Sequence, residues 1–151
     1  DYGYSGIIGI SDSTGYSLFS PYGYEKADLR GEHPVFAGFG PQGCALLVTE
    51  NRLVIPLKQY GNTAPDSRWQ DPTVMSRVLA IYGGENHVVA LKDDLSLAAA
   101  GDNSAGQCSI SHWENVRKLA VCGNATFGIT GDGKILAAGQ LTWGSETVSL
   151  K

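Results

Sequence analysis

The sequence predicts an all-β chain: β-propeller blades of four-stranded antiparallel sheets, about 3.5–4 blades in number. Three observations predict it. A hairpin-like pattern recurs at near-constant spacing, its turn positions carry polar residues and Gly, and the composition pairs 20 Gly with only 17% charged residues. Abundant Gly with few charges suits short strands joined by tight turns better than helices with charged outer faces.

The recurrence is read from the apolar residues at 10, 48, 91 and 129, which are spaced by 38, 43 and 38. A period near 40 with β-type content points to propeller blades or a solenoid. Hairpins are therefore expected near residues 12, 50, 93 and 132, all within one domain covering 1–151. The first copy reads ISDSTGY over 10–16 and the second VTENRLV over 48–54. In the third, LKDDLSLAAAG over 91–101 echoes ITGDGKILAAG over 129–139 in the fourth. Asp132-Gly133 is a strong turn dipeptide because Gly tolerates positive φ, whereas Asp93-Asp94 and Glu50-Asn51 fill the same turn with less suited residues. RVLAIYG at 77–83 also echoes RKLAVCG at 117–123, at an offset of 40, so two residues look deleted between the blocks.

Val116 to Val121 reads as a strand preceding its hairpin. A weaker fourth strand is expected around Gly106 to Ile110. Ala98-Ala99-Ala100 and Ala137-Ala138 favour helix by propensity, yet they lie in runs too short for one. They read as strands whose small side chains admit a neighbouring blade. The opening Asp1-Tyr2-Gly3-Tyr4 lacks Met and reads as a processed or excised piece. Ile7 to Ile10 reads as a second strand without its first, and Thr147 to Leu150 as a first strand without its hairpin. Pairing residues 147–150 with 7–10, in the same chain or a second copy, would leave no open edge. A homo-oligomer of about eight blades through such terminal pairing is the preferred form.

AAGDNSAGQC at 99–108 resembles the Gly-x-Asn-x-x-Gly-Gln signature of regulator-of-chromosome-condensation repeats. In style it is closest to short bacterial repeats such as those of β-lactamase inhibitor protein II. Ser111-His112-Trp113, the strand Val116 to Val121 and Gly123 continue the match, which is specific over 77–140. Before residue 77 the Gly-Gln element is missing, and after Gly139 the signature is replaced by Gln140-Leu141-Thr142-Trp143. The resemblance implies a closed ring, seven blades in familiar members, and a secreted or cell-surface location. It implies no activity here, because neither exchange-site nor inhibitor-loop residues can be matched.

The formal net charge of −4 and pI of about 5.2 argue against nucleic acid, whose binders show basic patches. No stretch reaches 18 apolar residues, so no membrane span is expected. Cys44, Cys108 and Cys122 form no CxxC and read as buried small apolar side chains, with a Cys108–Cys122 disulfide as the alternative. No nucleophile elbow or phosphate loop occurs, and His33, His87 and His112 are far apart. Asp12 to Gly15 and Gly131 to Gly133 fit turns rather than the calcium-loop pattern. Asn124-Ala125-Thr126 is a glycosylation sequon. No catalytic residue, metal or cofactor is expected.

Binding candidates are aromatic and basic residues. Trp69, Trp113 and Trp143 each follow a hairpin and are expected to project from one end of the propeller. The long connection Lys58 to Ser76 holds Tyr60 and the pair Arg68-Trp69, the best hot-spot pair in the sequence. His112 adjoins Trp113. Five of the seven Tyr lie in the first 24 residues, where edge packing and a binding face compete as explanations. The expected function is a non-enzymatic, protein-interaction propeller. A carbohydrate-binding propeller and a structural repeat segment of a larger bacterial surface protein are the alternatives.

Overall fold

A computed structural model describes residues 7–9, 17–20, 23–26, 31–41, 44–57 and 71–150. They form four antiparallel sheets in sequence order. The first holds β1 (Ile7–Gly9), β2 (Ser17–Ser20) and β3 (Gly23–Lys26). The second holds β4 (Pro34–Phe39), β5 (Ala45–Thr49) and β6 (Val54–Leu57). A four-residue helix, α1 (Pro72–Met75), precedes the third sheet of β7 (Val78–Gly83), β8 (His87–Lys92) and β9 (Leu97–Gly101). The fourth holds β10 (Val116–Cys122), β11 (Asn124–Thr130), β12 (Ile135–Trp143) and β13 (Glu146–Leu150). Each sheet is a simple meander, as propeller blades are.

Three of the hairpins, β5–β6, β8–β9 and β11–β12, share one chemistry. Thr49, Lys92 and Thr130 each donate their amide to the carbonyl of Leu53, Ser96 and Lys134. The last loop residue has positive φ in every case: Arg52 at 63°, Leu95 at 66° and Gly133 at 86°. This is the three-residue hairpin loop whose final residue is left-handed. The turns stand where Glu50-Asn51, Asp93-Asp94 and Asp132-Gly133 predict them; the Asp12-Ser13 turn lies outside the described residues.

Strand pairing corrects the repeat alignment. Val78 faces Lys92 as Val116 faces Thr130, and Gly83 faces Val88 as Val121 faces Thr126. Equivalent residues of the third and fourth sheets are thus 38 apart throughout, and the echo of RVLAIYG in RKLAVCG is two residues out of register. Both first strands bulge at the same point, between Val78 and Ala80 and between Val116 and Lys118. Arg77 and Asn115, the residues before them, share positive φ.

Two further expectations fail. Residues 106–110 are turns, so the third sheet has no fourth strand. Residues 147–150 belong to β13, which folds back on β12 and pairs Gly139 with Leu150 and Leu141 with Val148. That stretch completes its own sheet as the fourth strand, and within this chain it does not pair with residues 7–9.

The core lies between sheets. Leu46 and Val48 of the second pack against Val78, Ile81, Val88 and Ala90 of the third, with Val74 of α1 inserted. Val89 and Leu91, on the other face of the third sheet, pack against Val116, Leu119 and Ala138 of the fourth, under Ile110. Alternation along β8 thus serves two interfaces at once, which is why it is apolar on both faces. Ala98 and Ala100 line the first interface and Ala99 the second, so the alanine run is a strand small enough for close sheet approach. Backbone bonds also cross the seams: the Val78 amide donates to the Arg52 carbonyl, and Glu85 to Gly123.

Candidate functional site

The signature loop after Gly101 is held by its own side chains. Gly101 has φ 110°, and a Cβ there would strike the Asn86 carbonyl. Asp102 then accepts from the Ser104 amide at 3.1 Å and hydroxyl at 2.9 Å. Asn103 accepts from the Cys108 amide at 2.8 Å. Gln107 is fully buried; its amide group donates to Asp102 at 3.0 Å and accepts from the Ala105 amide at 2.9 Å. Its backbone carbonyl accepts from the Thr126 hydroxyl of β11 at 2.8 Å, binding the loop to the fourth sheet.

Thr126 has one hydroxyl proton, and Gln107 receives it. Thr126 therefore accepts from Nε2–H of His87, 3.0 Å away. His87 is held as the Nε2–H tautomer, and its buried Nδ1 has no hydrogen-bond partner. Burial pushes the His87 pKa down, against the opposing pull of Asp102. Sequence spacing sets His87 far from the other histidines and carries no sign of this network. The signal available was Gln107, the last residue of the signature. The same contacts seal the sequon: Asn124 is half-buried and Thr126 is buried.

Tyr60, Arg68 and Trp69 lie outside the described residues. His112 and Trp113 meet edge to face with centroids 6.5 Å apart. They line an open cleft of about 550 Å³ with Glu114, Asn115 and the β11–β12 hairpin residues Thr130, Asp132 and Lys134. Lys134 pairs with Asp132 at 3.0 Å on the rim. The Thr130 hydroxyl and then the Lys134 contact hold the Asp132 pKa below its usual value. Trp113 is half-buried, with its ring over Gly128, where a Cβ would lie 3.0 Å away. It closes the third–fourth interface and is not a free platform.

Trp143 is placed differently, on the last residue of β12 and 90% exposed. The expected equivalence of the tryptophans therefore fails for this pair, because one sits in the signature loop and the other on a strand that replaces that loop. Leu141 and the facing Val148 share the Trp143 face, and all three are exposed. The opposite face is polar, with Thr142 and Thr147 hydroxyls 3.3 Å apart and Gln140 donating to Ser149 at 3.5 Å.

The cysteine reading also changes. All three thiols are free, so the Cys108–Cys122 disulfide is absent; Cys44 is buried, Cys108 half-buried and Cys122 exposed on β10. Burial pushes the Cys44 and Cys108 thiols up to about 11. Among the described residues, no three His, Cys, Asp or Glu side chains are grouped to hold a metal ion, and no helix is long and apolar enough to cross a membrane.

No protein-family profile and no curated protein matches the sequence. Solved structures do match its fold. Prp20p of Saccharomyces cerevisiae, described with its binding to Gsp1p and histones, aligns with a TM-score of 0.62 and 21% identity, over 82% of this chain and 35% of its own. Yeast RCC1 (Prp20) bound to Kap60 gives the same score and identity over 85% and 35%. The CRINKLY WD40 ectodomain of the Arabidopsis thaliana receptor kinase ACR4 aligns at 0.50 and 13% identity, over 91% and 51%. The chain thus spans about a third of the length of the yeast structures. With its sequential antiparallel sheets and signature loop, the chain has the fold of the regulator-of-chromosome-condensation β-propellers.

Proposed function

We propose that the chain is part of a non-enzymatic, protein-binding propeller whose contact surface is the β12–β13 hairpin. The observation that carries this reading is the exposed apolar face of Leu141, Trp143 and Val148. An exposed Trp among aliphatic neighbours on a rigid hairpin is the composition of a protein hot spot. The cleft beside Trp113 adds an ion pair and an aromatic edge, which suits a polar rim. Prp20p, whose fold it shares, binds proteins, and we extend that class of partner to this chain. Sugar stacking is the weaker reading, because Trp113 spends its ring on Gly128.

The test is affinity capture from the source organism with the native chain and with Leu141→Ser and Trp143→Ser variants, beside a glycan array. The expected result is a captured protein whose affinity falls about tenfold or more in each variant, with a blank array. Glycan binding that persists in both variants would overturn it.

A further inference from the structure

The second, third and fourth sheets finish their outer edges in three different ways. In the third, the Lys92 amide donates to the Ser96 carbonyl and the Asp102 amide to the Asn86 carbonyl. Between these two bonds the antiparallel alternation turns the amides and carbonyls of Ala98 and Ala100 toward β8, and those of Leu97 and Ala99 outward. Among the described residues, none bonds to these outward groups. The edge is internal to the chain, with the second sheet before it and the fourth after it.

The second sheet guards the same edge with proline. Leu46 faces Pro56 as Val89 faces Ala99, so Pro56 holds the place of Ala99. The Thr49 amide donates to the Leu53 carbonyl, and the same alternation puts the Pro56 nitrogen on the outward side, where it has no proton to offer a further strand. The fourth sheet adds a strand instead: β13 pairs along β12 from Gly139, the equivalent of Gly101. β9 has neither device, and no charged side chain stands within it to repel a partner.

We infer that the β9 edge pairs with an extended, basic segment of a partner protein, which adds to the third sheet in the antiparallel sense that β13 takes on β12. Charge selects the segment. Asp93 and Asp94 stand before β9 and Asp102 after it, and no Lys or Arg occurs from Asp93 to Val116. Arg77 serves both Asp93, at 2.7 Å, and Asp94, at 3.4 Å, while the Lys92 ammonium is turned to the α1 carbonyls. Leu97 and the alanines beside it give the added strand apolar neighbours, which favour small and β-branched side chains between its basic ends. The contact is separate from the Leu141, Trp143 and Val148 face.

The test is a pool of octapeptides with Lys at both ends and Val, Thr, Ala or Ser between, with amide exchange read at Leu97 and Ala99 of the native chain. The expected result is a member that protects both amides. Its affinity should fall about tenfold or more on N-methylation of its alternate amides, and likewise when its ends are changed to Glu. Ala99→Pro, which installs the residue of the second sheet, should abolish binding and keep the far-ultraviolet spectrum. Trp143→Ser should leave binding unchanged, which separates this edge from the β12–β13 surface. Protection of neither amide by any member, or binding indifferent to N-methylation, to the change of ends or to Ala99→Pro, would overturn the inference.

Discussion

The third and fourth sheets run in step from Val78 to Gly101 and from Val116 to Gly139, then part. Both glycines have strongly positive φ, 110° and 100°, and both lack room for a Cβ, against the carbonyls of Asn86 and Asn124. After Gly101 the chain enters a loop whose buried Gln107 fastens it to the next sheet. After Gly139 it continues as strand, with Gln140 at the surface of a hairpin. The same backbone device therefore feeds two outcomes, and the following side chains choose between them. Asp102 and Asn103 bond back onto nearby amides and end the strand, as Asx residues do. Leu141 and Thr142 offer no such bonds and suit a strand.

The largest effect should come where the two exits agree. Gly101→Val and Gly139→Val each combine a collision with a left-handed backbone and should lower stability by about 3 kcal/mol or more. Gly106 has φ 83° but open space, with only Ser109 Oγ 3.9 Å from a Cβ. Gly106→Val should cost about 1–3 kcal/mol, the smaller loss of the three. Denaturant midpoints would rank them; equal losses at Gly106 and Gly101 would remove the role given to close approach.

The next effect separates the exits. Gln107→Ala strips partners from the Ala105 amide and Asp102 and should cost about 2 kcal/mol. Gln140→Ala loses one long exposed bond to Ser149 and should cost less than about 0.5 kcal/mol. A reversed order in urea unfolding would show that the Gln107 side chain does not hold the loop together.

His87 gives that fastening a pH dependence. Its folded pKa lies below the ordinary 6.5, so between the folded value and 6.5 the unfolded chain binds more protons. Stability should fall as pH drops below 6.5 and level off once the folded imidazole is protonated. His87→Ala, which installs the residue found at the equivalent Ala125, should remove that part of the slope in thermal melts between pH 7 and 5. An unchanged slope would assign it to other groups.

The smallest effect concerns the hairpins. Leu95 holds at 66° the place that Gly133 fills, and it is exposed. Leu95→Gly should stabilise by up to about 1 kcal/mol through relief of the left-handed backbone. A drop in melting temperature would mean that Leu95 packs in a way its exposure does not show.

The strands and hairpins were legible because alternation and turn residues are local. The apolar residues at 48, 91 and 129 do mark one structural position. The RVLAIYG echo misled because it matches composition, whereas the bulges at Val78 and Val116 set the true register. The missing fourth strand was illegible because Asp102, Asn103 and Gln107 fold the loop through side-chain bonds that alternation does not encode. Lys92 shows the same limit. It stands where Thr49 and Thr130 bond within their own hairpins, yet its ammonium reaches the Thr73, Val74 and Ser76 carbonyls at the end of α1. Of the binding candidates, Trp143 is exposed, while Trp113 is part of the packing.

Amide hydrogen exchange over residues 102–115 tests most directly whether the signature loop is a structural fastening in place of a strand. The Ala105 and Cys108 amides, bonded to Gln107 and Asn103, should be protected alongside those of β8, and Gln107→Ala should release Ala105. Exchange at both positions in the native chain as fast as in an open loop would contradict the account.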